Sequence, residues 1–167
     1  PLSELAIKTN RPAQALYLMK NSGECSVKAK IAEFAWLVKN KVRPRGLHAL
    51  GLPCQLTGSG MAFPWAVIQA VPLATGEIVE DMKLGIALAN LGYPPVFSEH
   101  TVVTSSFPVN AEGIQSQRRR WEHGHLSMLF KEGLPKLLNA VIKRNPSLFF
   151  LALDLCIPPL ALLVLLT

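Results

Sequence analysis

Residues 147–167, SLFFLALDLCIPPLALLVLLT, constrain this chain more than any other stretch, because their only ionisable groups are Asp154 and Cys156. An apolar run of about 20 residues matches the length a helix needs to cross a hydrocarbon core ~30 Å thick. The run therefore predicts a transmembrane helix over 147–167. A buried core helix is the competing reading, and Pro158 and Pro159 would bend either one. Runs this long and this apolar are rare in soluble domains, which favours the membrane. Lys136, Lys143 and Arg144 precede the run and nothing basic follows it. By the positive-inside rule, everything upstream then faces the cytoplasm from the cell's inner (cytoplasmic) membrane. Asp154 lies roughly 10 Å into the run, close enough to its start to reach the cytoplasmic interface.

The rest of the chain is read as one body, residues 1–146. Hydrophobic residues make up 50% of the 167 and charged ones 17%, against about 25% charged in soluble domains. With no Met at its start and an end inside the apolar run, the chain is expected to be a fragment. The net charge of +6 raises the question of nucleic acid. The only dense basic run is Arg118, Arg119 and Arg120, with no aromatic residues interleaved. Such a face suits membrane lipid or a nucleotide-sugar diphosphate, so no nucleic-acid partner is expected. Cys25, Cys54 and Cys156 lack C-x-x-C spacing, which points to reduced cytosolic thiols rather than a disulfide framework or a zinc site.

Along the chain, the apolar run 13–19 fits a strand, with a helical turn left open by periodicity. Ser26 can cap a helix whose apolar face is Ile31, Phe34, Ala35 and Val38, ending near Asn40. Pro44, Gly46, Gly51 and Pro53 punctuate a loop over 42–53. A strand over 55–63 is interrupted by Gly58 and Gly60. Glycine there marks either close approach of a ligand or a bulge without one. A second helix, 79–91, carries apolar stripes on most sides and ends at Gly92. Two short extended pieces follow at 95–98 and 101–105. A third helix is expected from Asn110 through Trp121 toward Phe130.

Three features could carry chemistry. Glu80 and Asp81 open the second helix, where the dipole favours acids whatever their role; a carboxylate against an apolar body also makes a general base. Gln117, Arg120 and Trp121 share one helix face, while Arg119 points away. A guanidinium matches phosphate oxygens and an indole stacks on a sugar ring. The glycine pair in Leu56-Thr57-Gly58-Ser59-Gly60 is the third. His123 and His125, two residues apart, do not converge on a metal along a helix.

The order TGSGMAF, VED and QRRRW, followed by a membrane span, resembles processive family 2 glycosyltransferases such as cellulose synthase and hyaluronan synthase. The phrases VRPRGLHALGLPCQLTGSGMAFPW, GEIVEDMKLGIALANLGYPPVF and SQRRRWEHGHL carry the resemblance over roughly residues 11–126, and Q-x-x-R-W after E-D is its most specific part. It implies an α/β fold, the C-terminal portion of a GT-A type domain with a mixed sheet flanked by helices. It also implies an inverting transfer from a nucleotide diphosphate sugar to a glycan or lipid-linked acceptor in polysaccharide synthesis.

By the same resemblance, Asp81 is the general base and Glu80 its companion. Gln117 and Arg120 hold the donor diphosphate, Trp121 stacks near the acceptor, and Gly58 and Ser59 lie beside it. Such enzymes hold Mg²⁺ or Mn²⁺ with an upstream D-x-D motif. The only Asp residues here are Asp81 and Asp154 and neither sits in one, so this chain is expected to supply no metal ligands. By itself it is expected neither to bind donor tightly nor to turn over. The reading from a different class is a membrane-anchored basic module that binds anionic lipid or nucleic acid without catalysis.

Overall fold

The computed structural model describes residues 1–20, 27–71, 80–107, 124 and 126–157. Its sheet has three strands in the order β2-β1-β3, where β1 is Ala13–Lys20, β2 is Met61–Ala62 and β3 is Val96–Ser106. β1 is central, antiparallel to β2 and parallel to β3. A parallel pair needs a long crossover, and helices supply it. The mixed sheet with flanking helices fits part of a GT-A fold.

The run 13–19 is therefore a strand. It is buried almost throughout because helices cover it, which is why it shows no polar alternation. β3 joins the two extended pieces into one strand. Ala15 faces Ser98 but Leu16 faces Val102, so residues 99–101 form a bulge that made the sequence look broken. The expected strand over 55–63 shrinks to Met61–Ala62, because Gly58 (φ +77°) and Gly60 (φ +67°) turn the chain out of extended geometry.

Helix α1 (Leu2–Thr9) precedes β1 and had no counterpart in the sequence reading. Helix α2 (Val27–Leu37) runs through a π-turn, Val38–Val42, into α3 (Arg43–Ala49), where a loop was expected. Pro44 sits in the first turn of α3, the one place in a helix where a missing N–H costs little, and the π-turn absorbs the change of ladder just before it.

The face of α2 expected to be buried is also corrected. Ile31 and Phe34 are 48% and 59% exposed. The opposite side packs instead: Trp36 Nε1 donates to Tyr17 O at 3.0 Å, and the indole meets the rings of Tyr17 and Phe107 edge-on. An indole brings a large contact area and also finds a hydrogen-bond partner.

After the short helix α4 (Trp65–Ile68), α5 (Glu80–Asn90) realises the second predicted helix. It buries Met82, Gly85, Ile86, Leu88 and Ala89. The largest core cluster joins Met82, Ile86 and Ala89 to Met128, to Ala140 of α6 (Leu134–Ile142), and to Leu148, Leu151 and Leu155 of α7 (Pro146–Cys156). Asn145 caps α7 by accepting from Leu148 N at 3.0 Å, and Pro146 begins it. Thus the described part of the expected span contributes one face to the domain core. Among the described residues no helix is long and apolar enough to cross a membrane, and 158–167 lie outside them.

Candidate active site

Asp81 stands in the first turn of α5. The helix places it there because Gly85, one turn on, lets α5 lie close on the chain before β2: a Cβ at Gly85 would sit 3.4 Å from Leu56 Cγ. Partial burial pushes the Asp81 carboxyl above its ordinary value of 3.8. The N–H of Met82, the Lys39 ammonium and its own N–H pull it back down, and Glu80 adds a small upward push. Glu80 itself is exposed, so the adjacent carboxylates occupy different environments.

The segment 57–60 comes against this carboxylate. A Cβ on Gly58 would lie 3.4 Å from Asp81 Oδ2, and its φ of +77° already favours glycine. At Gly60 a Cβ would meet Val103 Cγ2 at 2.7 Å and Ala15 Cβ at 2.9 Å, so the turn is locked onto the sheet by having no side chain. Gln14, almost fully buried in β1, pins the turn from below. Its Nε2 donates to Ser59 O at 2.8 Å and Ala15 O at 2.9 Å, and its Oε1 accepts from Thr57 N at 2.9 Å. Ala15 N closes the turn by donating to Gly60 O at 2.8 Å. Of the two sequence readings for the glycine pair, the geometry displays a turn, with Gly58 beside the Asp81 side chain and Gly60 against Val103 and Ala15.

Gly58, Ser59, Glu80 and Asp81 therefore fall in one region. Gln117, Arg120 and Trp121 lie outside the described residues, as do His123, His125 and Cys25.

Behind Asp81, sequence reasoning missed a set of charged groups. Lys39, on the π-turn, has its pKa lowered by burial; Asp81 pulls it back up, Arg43 pushes it down and Asp154 pulls it up. Its Nζ lies 6.0 Å from the Trp36 ring centroid. Arg43 Nη2 donates to Asp154 O at 2.7 Å and to its carboxylate Oδ1. Asp154, isolated within the apolar run, thus has a partner 111 residues away. Only the lone charge of Asp154 could have hinted that a cation must meet it. Cys54 is buried at the β1–β3 layer and its thiol is pushed up to about 12 by that burial, which keeps it protonated and inert.

Among the described residues no group of three or more His, Cys, Asp or Glu side chains could hold a metal ion. Glu80 is exposed while Asp81 is half-buried, and Asp154 is committed to Arg43, so these residues do not fit a Mg²⁺ or Mn²⁺ site.

No curated protein and no solved structure matches the chain. The model of the family described as glycosyl transferase family group 2 matches residues 12–167, from the start of the β1 region through α7 and beyond. A match over nearly the whole length assigns a glycosyltransferase domain, which takes a nucleotide sugar as donor, and the chain belongs to glycosyl transferase family group 2.

Proposed function

We propose that the domain catalyses an inverting transfer from a nucleotide diphosphate sugar to a glycan or lipid-linked acceptor, in polysaccharide synthesis of the processive kind, with Asp81 as general base. The reading rests on one observation: a half-buried carboxylate at a helix start, its pKa raised, lies against the bare flank of Gly58. In the reaction the acceptor hydroxyl gives its proton to the Asp81 carboxylate while its oxygen attacks the anomeric carbon. The bond from that carbon to the diphosphate oxygen breaks on the opposite face, so the configuration inverts. A raised pKa makes Asp81 a stronger base than an ordinary aspartate.

Gln117 and Arg120 would hold the departing diphosphate, with Arg120 forked onto its oxygens. Trp121 would stack on the acceptor sugar, and Gly58 and Ser59 would border it. Glu80, exposed next to Asp81, would be its companion. The divalent ion such enzymes use would bind through residues other than those described.

The membrane reading draws support from α6, which leaves Leu138 and Ile142 68% and 81% exposed beside Leu134 and Val141. Lys143 and Arg144 follow directly at the C-terminal end of α6, basic groups suited to an anionic lipid surface, whereas Lys136 meets Glu132 at 4.0 Å. The apolar residues after α7 would lead the chain toward the bilayer, with the domain on the cytoplasmic side.

Alanine substitutions in the complete gene product test the assignment against a basic binding module. Arg120→Ala and Gln117→Ala should abolish most sugar transfer while Arg119→Ala leaves most of it. Equal losses at Arg118, Arg119 and Arg120, with binding that collapses in salt, would instead support the binding module.

A further inference from the structure

Between the π-turn, α3, the segment before β2 and α7 lies a small cavity lined by Lys39, Asn40, Arg43, Gln55, Thr57 and Asp154 among others. Its volume of about 20 Å³ has room for a single water-sized oxygen. Among the described residues, three buried polar atoms lack a partner: Asn40 Oδ1, Gln55 Oε1 and Thr57 Oγ1. All three belong to residues that line this cavity.

The two amides cannot be turned over to remove the deficit. Asn40 Nδ2 already donates to Trp36 O at 3.2 Å and Gln55 Nε2 to Leu151 O at 2.7 Å. Their carbonyl oxygens are therefore fixed as acceptors in need of a donor. Asn40 and Gln55 are 3% and 9% exposed, and an unpaired polar atom at such depth costs far more than a made hydrogen bond returns.

The charge pattern narrows the ligand. Lys39 and Arg43 on the wall outnumber the single Asp154, which disfavours a cation. Two unpaired amide oxygens on residues of the wall disfavour an anion. A neutral hydroxyl satisfies both conditions: it donates to Asn40 or Gln55 and accepts from Thr57 or the Lys39 ammonium.

We propose that this cavity is a binding site for one hydroxyl oxygen, supplied by water or by a hydroxyl of a saccharide. The site stands on the geometry of the three unpaired atoms. Only the saccharide source rests on the glycosyltransferase reading above, since Met82, next to Asp81 in α5, also lines the cavity.

Thr57→Val, nearly the same shape without the oxygen, gives a test whose sign decides. With a hydroxyl bound, Thr57→Val removes one of its partners and lowers Tm by about 2–4 °C, while Thr57→Ser, which keeps the oxygen, restores most of the loss. Without one, Thr57→Val merely deletes an unpaired polar atom, so an unchanged or raised Tm overturns the proposal. D-glucose and maltose then separate the sources. A Tm increase with either sugar in the parent chain but not in Thr57→Val assigns a saccharide hydroxyl, and a lowered Tm in Thr57→Val without any sugar effect assigns water. Should Thr57→Val fail to fold, electron density of the parent chain decides. An oxygen within hydrogen-bond distance of Asn40 Oδ1 and Gln55 Oε1 supports the site, and its absence refutes it. Sugar transfer is not the readout, so failure here leaves the Asp81 assignment standing.

Discussion

The Asp81 carboxylate looks onto the one flank of Gly58 where any other residue would carry a side chain, with Oδ2 at 3.4 Å from where that Cβ would begin. A left-handed backbone and a bare surface at the same residue leave a clear approach to the carboxylate. Gly58→Ala should cost about 1–2 kcal/mol of stability through its positive φ and lower transfer further by crowding Asp81. Gly46, in α3 with nothing within 4 Å of an added Cβ, is the matched control. Gly46→Ala should stabilise by up to ~1 kcal/mol through helix propensity and leave transfer unchanged. Thermal melts and transfer assays on the pair check both.

Asp81 should also trade stability for function. Its folded pKa lies above the unfolded one, so the native state holds the proton more tightly and stability falls as pH rises through that interval. Asp81→Asn removes this penalty. It should raise Tm at neutral pH, and the gain should vanish below about pH 4, where the parent aspartate is protonated in both states. Tm measured against pH for the two proteins is the check.

Lys39 favours the ionised form of Asp81, so the acid limb of activity should respond to it. In Lys39→Met the Asp81 pKa rises further and the acid limb of the pH–rate profile moves to higher pH. Lys39→Arg, which keeps the charge, should hold it near its original position. A limb that stays put in Lys39→Met would show that the cation does not act on Asp81.

The Arg43–Asp154 pair fastens α7 to α3 with side chains only 23% and 13% exposed. Arg43→Met leaves a largely buried carboxylate unpaired and should cost about 2–3 kcal/mol, toward the lower end for breaking buried pairs because of the residual exposure. Adding Asp154→Leu removes the orphaned charge and should recover much of that loss. Denaturant melts of the single and double variants measure the coupling.

How far the sequence reached depended on the range of the interaction. Asp81 at a helix start and the stripes of α5 were legible because helical periodicity and N-terminal acids are local signals. The strand at 13–19 was visible only as an apolar run, ambiguous because full burial erases alternation. Helix α3 was hidden by Pro44 and Gly46, which read as breakers although Pro44 falls in a first turn. The buried side of α2 was misjudged because four apolar positions outvoted one Trp36, and nothing within the helix reveals that Tyr17 and Phe107 await it. Gln14 beneath the glycine turn, Lys39 behind Asp81 and Arg43 against Asp154 are contacts across the fold, with no trace in spacing.

The membrane account makes its own demand on α6. Leu138→Glu with Ile142→Glu should abolish most binding to vesicles containing anionic lipid, at a stability cost within about 0.5 kcal/mol, because both side chains are exposed in the folded domain. Co-sedimentation with and without anionic lipid measures it.

Single-turnover sugar transfer by Asp81→Asn in the complete gene product, alongside donor binding by the same protein, tests the central claim most directly. The account requires transfer to fall about 10²-fold or more while donor binding stays close to that of the parent. Transfer at nearly the parental rate would contradict it, since a carboxamide cannot take the acceptor's proton.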